Sequence, residues 1–357
     1  MQRRRFLRLG GLGAGAALAG CHGPGNSTPT VTRRATTETA SASDEPDGIY
    51  VQSFQETMSM QGTATEGNYR FSLVFTVPHT FWTVTGNSVS KVEQTPADTL
   101  HLMAAVWDPE TQTVLPETGL SVEITQGDSV VSQEVIYPML SQPMGFHYGG
   151  NFELDGLGEY TATVSVGGST IRRTGRFADR FGEPASVELP LSVTQERVDE
   201  ISSRPIDQAG QPGALRPMEM LSTPKGIAPS EAEMPGSVRG SAMTDDCRFV
   251  VTTLESAERV DADGQYLAVS ARTRYNRYLV PAMALRGTVE RDGQPIFEGP
   301  LQRTLSPDLR YHYGAAVGDG LQSGDELTLT VQTPPQVARH EGYETAFLQF
   351  EPVTMTL

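Results

Sequence analysis

Cys21 and Cys247 are the only thiols in this chain of 357 residues. A disulfide framework is thereby excluded, and if Cys21 is consumed as argued below, no intrachain pair is left. Basic residues are also scarce: 27 Lys and Arg stand against 43 Asp and Glu, a net charge of −16. A surface of that sign repels phosphate backbones and anionic headgroups, which argues against nucleic acid as a partner, and it is typical of acidic proteins working in high salt. Beyond the first twenty residues no apolar run approaches the roughly 20 residues needed to span a bilayer. There is no nucleophile elbow, no phosphate loop and no His-Glu-x-x-His helix, so an enzyme is not expected. No long window shows helical periodicity, which leaves strands.

What is present begins with an address. Arg3-Arg4-Arg5-Phe6-Leu7-Arg8, followed by the Gly/Ala-rich stretch Leu9 to Ala19, has the form of a twin-arginine export signal. Leu18-Ala19-Gly20-Cys21 then fits a lipoprotein cleavage box, in which Cys21 is lipidated and becomes the new N-terminus. Residues 1–20 are thus expected to be removed, which takes away four arginines and lowers the net charge to about −20. The mature chain is expected on the outer face of a membrane, anchored to it and not spanning it. Residues 21–48, rich in Ser, Thr, Gly and Pro, read as the lipidated Cys and a flexible tether.

From about residue 49 short segments alternate apolar and polar residues and end at Gly, Pro, Asp or Asn: 69–76, 120–125, 129–136, 160–166 and 184–191. A second block does the same at 266–272, 282–291 and 326–331. The expectation is an all-β protein of two immunoglobulin-like antiparallel β-sandwich domains, 49–196 and 244–357. Residues 197–243, with six prolines and Met218, Met220, Met234 and Met243, read as the linker. The second block echoes the first: Phe146-His147-Tyr148-Gly149 returns as Tyr311-His312-Tyr313-Gly314, each followed at similar spacing by a Gly-led strand. This suggests two diverged copies of one sandwich.

The stretch with most chemistry is Tyr137 to Gly149, which is broken by Pro138, Pro143, Gly145 and Gly149 and in which Met139, Met144 and His147 fall within nine residues. It reads as a shaped turn feeding a strand. Thioether and imidazole are donors that suit copper, while imidazole alone also suits zinc or iron. His79 and His101 lie in the same half. The same residues also admit a packing reading, since Met fills gaps in cores and a His beside aromatics is often only hydrogen-bonded.

The Met-containing turn, His-Tyr-Gly-Gly-Asn at 147–151 and the following Gly-Leu-Gly-Glu-Tyr resemble the periplasmic iron-transport family of copper-binding, immunoglobulin-like proteins and lipoproteins. The likeness covers roughly residues 69–195, with the C-terminal block a weaker relative. It implies a copper ion held by an early-strand His, a Met in the turn, the His of His-Tyr-Gly and a later His after an Arg. It also implies a neighbouring site for transported iron, a partner permease and a dimer. On these residues it implies His101, either Met139 or Met144, and His147 as ligands. Met103 stands where the family has Glu, which puts the carboxylate-dependent second site in doubt, and the fourth His falls near Phe177. The residues themselves allow His79 to fill that place. A bolder expectation is that the two sandwiches pack as an internal pseudo-dimer bringing His312 and His340 to the first-half site, motivated by Arg339-His340. The plainer reading of His312 is a structural histidine between two tyrosines. The functional expectation is a metal-binding lipoprotein that takes part in iron or copper uptake; the alternative is a metal-free structural or adhesion lipoprotein.

Overall fold

Eight strands position the candidate site and its counterpart: β1 (Leu100–Trp107), β2 (Tyr137–Ser141), β3 (Gly145–Phe152), β4 (Arg172–Arg173), β5 (Tyr266–Thr273), β6 (Gln294–Ser306), β7 (Arg310–Ala316) and β8 (Ala338–Arg339). The computed structural model describes residues 46–219, 223–318 and 320–357. The signal, Cys21, the tether up to residue 45 and Met220 lie outside the described residues. Among the described residues, no helix is long and apolar enough to cross a membrane.

The architecture is all-β and almost wholly antiparallel. An eight-stranded sheet runs in the order Ser59–Glu66, Tyr69–Thr76, β1, β3, β2, β8, Phe81–Thr85, Ser88–Val92. A four-stranded sheet (Ala185–Val193, Gly158–Val166, Leu120–Gln126, Ser129–Val135) accompanies it in the first half. The smaller sheet buries alternate residues, as expected of a sheet with one wet face. β1 and β3 are buried at every position, so both faces of the larger sheet are covered there. One face of β1 contributes Leu102, Ala104 and Val106 to the core, while His101 and Met103 point the other way. Trp107 is in the core, and Trp82 is half-buried at the rim of a cleft.

The second half forms one nine-stranded sheet system. Its strand β6 pairs over Gln294–Leu301 with Ala284–Arg291 and over Gln302–Ser306 with β7. In the first half the same path is broken at Ile136 into two strands that belong to different sheets. The two halves share a continuous core, with Phe71, Val122 and Val164 in the same cluster as Phe249, Leu267 and Leu329.

Each half also lends the other a two-residue strand. β8 sits in the first-half sheet, parallel to β2 with Ala338 opposite Met139 and Arg339 opposite Leu140, and antiparallel to Phe81–Thr85. β4 sits on the second-half sheet, parallel to β6 with Arg172 opposite Thr304 and Arg173 opposite Leu305. The fully buried Arg339 donates to the carbonyls of Val337, Ala346 and Phe347, which fixes the chain immediately before His340.

The stretch read as a linker is partly sheet. Ser203–Pro205 pairs with Phe54–Glu56, and Ser237–Thr244 is the edge strand of the second-half sheet. That edge strand carries a register shift between Val238 and Gly240, so its alternation is interrupted and it reads as coil.

Candidate metal centre

The site is assembled on the outer face of the larger sheet. His101 and Asn151 face each other across β1 and β3, and His147 faces Met139 across β3 and β2. Gly149 lies between them: a Cβ there would be 3.0 Å from His101 Nε2 and 3.1 Å from Met139 Sδ. The glycine therefore lets a ring nitrogen and a sulfur close over the strand. β8 then delivers His340 beside Met139, its backbone N–H donating to Leu140 O at 3.0 Å. His79 enters from the loop after Tyr69–Thr76, and Asn151 Nδ2 donates to its carbonyl at 3.0 Å.

His79, His101 and His340 offer ring nitrogens that all lie within 4.8 Å of one another. The His79 and His101 ring centroids are 4.2 Å apart, and His340 stands 5.3 Å from both His101 and His147. His340 Nε2 is 3.2 Å from Met139 Sδ. His101, His147 and Met139 are essentially inaccessible, and His340 is 8% exposed.

The hydrogen bonds decide where the protons sit. Asn151 Oδ1 lies 2.8 Å from His101 Nδ1, so Nδ1–H donates and the lone pair is left on Nε2. The carbonyl of Gly145, 3.1 Å from His147 Nδ1, fixes the same tautomer there. Val77 O accepts from His79 Nδ1–H at 3.2 Å, and for neutral rings His79 Nε2 then accepts from His340 Nδ1–H at 3.0 Å. The lone pair of His340 is thus also on Nε2, facing the sulfur. His101 Nε2 and His147 Nε2 are buried without a hydrogen-bond partner. Buried polar atoms are nearly always satisfied, and two such atoms on neighbouring buried rings need an account.

Burial also holds the rings neutral. It pulls His147 down to about 4 and lowers His101 and His340 well below the usual range; His79 lowers all three further, and the neighbouring rings add to the effect at His101 and His340. Neutral imidazoles and a thioether are donors that suit a cation, and the three rings whose nitrogens converge are His79, His101 and His340, with Met139 beside them. A cleft of about 450 Å³ lined by Glu56, His79, Trp82, Met103, His340 and Glu341 connects this set to solvent.

Of the residues singled out from the sequence, His79, His101, Met139, His147 and His340 come together. Met103 and Met144 do not join them: they pack with Val74, Met58 and Met60 in a neighbouring cluster. The turn places Met144 beyond Ser141, whose hydroxyl accepts its backbone N–H, whereas Met139 lies within β2 opposite His147. His312 is remote in structural role, its Nε2 accepting from Tyr266 OH at 3.1 Å. The residue equivalent to His340 in the first half is Thr174, which follows β4 and donates to Leu305 O at 3.1 Å, and not the segment around Phe177. Asn151 and Gly149 were visible only as parts of a motif; their roles follow from register, which the sequence does not display.

Fold and site together define a β-sandwich protein with a buried imidazole and thioether cluster. A family model described as a domain of unknown function (DUF7350) matches residues 232–356. No curated protein matches the chain. Among solved structures, a copper-bound variant of FetP from uropathogenic Escherichia coli is similar over 38% of this chain and 97% of that one, with 18% identity and a TM-score of 0.29. FetP as isolated after expression in the Escherichia coli periplasm is similar over 39% and 97%, with 16% identity and the same TM-score. At those values the likeness says nothing about chemistry, which has to come from the donors.

Proposed function

We propose that this chain is a membrane-anchored, extracytoplasmic lipoprotein that binds one copper ion on His101, His147, His340 and Met139, with His79 at the mouth of the site, and that it takes part in iron or copper uptake. The observation that carries the reading is the convergence of unpartnered, proton-free donors: His101 Nε2 and His147 Nε2 have no hydrogen-bond partner, and His340 Nε2 faces Met139 Sδ. The donor chemistry supports copper over zinc, because a thioether is a soft ligand and neither thiolate nor carboxylate is among the converging groups.

The chain's own contribution is preorganisation. Asn151 and Gly145 O hold His101 and His147 in the ligating tautomer, Gly149 admits the sulfur, and burial keeps the rings unprotonated. Bound copper would supply a one-electron redox couple. The cleft past Glu56, His79 and Glu341 is the route by which an ion reaches the rings. Lipid on Cys21 and a permease that receives the metal complete the proposal.

Equilibrium dialysis of residues 22–357 against copper, zinc, iron and manganese tests it. One copper per chain is expected, lost in His147→Ala. Retention of no metal, or equal binding by the variant, would leave the structural or adhesion reading instead.

A further inference from the structure

Beside the imidazole cluster lies a second concentration of potential ligands. Met103 and Met144 are buried against Val74, and Met58 and Met60 pack onto them, so four of the five residues are methionines. Elsewhere among the described residues methionines are buried singly: Met283 in the main core, Met234 in a smaller second-half cluster and Met139 beside the imidazoles. The four come from separate places. Met60 lies opposite Val74, Val74 opposite Met103, and Met103 opposite Gly149, which makes one row across the sheet. At the end of that row Met139 Sδ lies over Gly149, within 3.1 Å of where a Cβ would be. Met58 and Met103 also line the cleft shared with His79 and His340, so the cluster faces the same passage as the imidazoles.

Packing alone would be served by Leu, which is of similar volume and has better-defined rotamers. Thioethers differ from Leu in being soft, uncharged donors that favour monovalent copper or silver and bind zinc and ferrous iron poorly. We propose that Met58, Met103 and Met144 form a second site, selective for a soft monovalent cation, next to the imidazole centre. Met60 extends it toward the edge of the sheet. This goes beyond the copper reading and does not depend on which metal the imidazoles hold.

Silver(I) is the probe, since it mimics monovalent copper without redox chemistry. The full chain is titrated with silver nitrate in chloride-free buffer alongside Met58→Leu/Met103→Leu/Met144→Leu and His101→Ala/His147→Ala. The triple Leu variant is expected to bind one silver fewer than the unmodified chain and to keep its uptake of divalent copper. The double Ala variant is expected to show the reverse loss for divalent copper while keeping the thioether-bound silver. Equal silver stoichiometry in the triple variant and the unmodified chain overturns the proposal, whereas divalent copper binding that survives the double Ala variant overturns the imidazole reading instead. Should the triple variant fold poorly, methyl resonances of the unmodified chain decide. Silver is expected to shift those of Met58, Met103 and Met144 and to leave Met283 in place, and unmoved cluster methyls overturn the proposal.

Discussion

In the first half of the chain His147 lies opposite Met139; at the equivalent crossing of the second half His312 lies opposite Thr304. The correspondence extends outward. Gly149 faces Met103 and Gly314 faces Ala268, which places Tyr266 where the first half has His101. Arg173 pairs with Leu305 as Arg339 pairs with Leu140, which places Thr174 where the other strand carries His340. Gly145 and Arg310 both have positive φ, and the carbonyl of each accepts from the following histidine at 3.1 Å. Burial pulls both histidines to about 4. Only the partner of Nε2 differs. His312 Nε2 accepts from Tyr266 OH, and the apolar residues Val250, Leu254, Ala257 and Val260 pack around that tyrosine. His147 Nε2 has no hydrogen-bond partner. One backbone corner thus serves as a hydrogen-bonded core on one side and as a cluster of imidazoles beside a thioether on the other; Tyr266, Thr304 and Thr174 stand where the first-half site has His101, Met139 and His340, and Ala316 stands where it has the orienting Asn151.

Thr174→His/Tyr266→His/Thr304→Met/Ala316→Asn places the first-half donors and the partner of His101 on the second-half corner, and retained copper is expected to rise from one to two per chain in equilibrium dialysis. A smaller effect is expected at the residue that orients His101. Asn151→Ala leaves every proposed ligand in place, yet should weaken copper affinity by about 10- to 100-fold, as loss of an orienting partner does at metal sites. A competition titration with a chromophoric chelator reads this directly.

Acid tests both corners at once. Each histidine has a folded value depressed from 6.5 to about 4, so between those limits the unfolded chain binds more protons than the folded one. Stability of the metal-free protein is therefore full above pH 6.5 and falls as pH drops toward 4, by on the order of 3 kcal/mol for each histidine. Urea midpoints at pH 7 and pH 4.5 measure the loss, and metal should reduce it by occupying His147. The smallest effect on metal belongs to His312→Leu. Copper affinity should not change, while stability falls by about 1–3 kcal/mol because Tyr266 OH is left without its buried acceptor.

Much of this was legible in the sequence. Alternation in 120–125 and 160–166 announces strands, and the repeated His-Tyr-Gly announces two related halves. Arg339-His340 pointed to a contribution from the second half, and that histidine does reach the cluster. What stayed hidden depends on register. β4 and β8 are two residues long, too short for any periodic signal, yet β8 carries His340 into the first-half sheet. The choice between Met139 and Met144 was undecidable because the Pro-rich turn conceals which one faces His147. Tyr266 and Thr174 have no motif at all; only strand pairing shows that they occupy the places of His101 and His340.

If the two halves close a single copper site, His340 is the residue through which the second half takes part. Copper retained by the full chain at equilibrium, measured for the unmodified protein, His340→Ala and His312→Ala, tests it most directly. The account predicts one copper for the unmodified chain and for His312→Ala, with at least about a 100-fold weaker affinity in His340→Ala, since a ligand should matter more than its orienting partner. Unchanged copper binding in His340→Ala would contradict it and would leave the second half no part in the site.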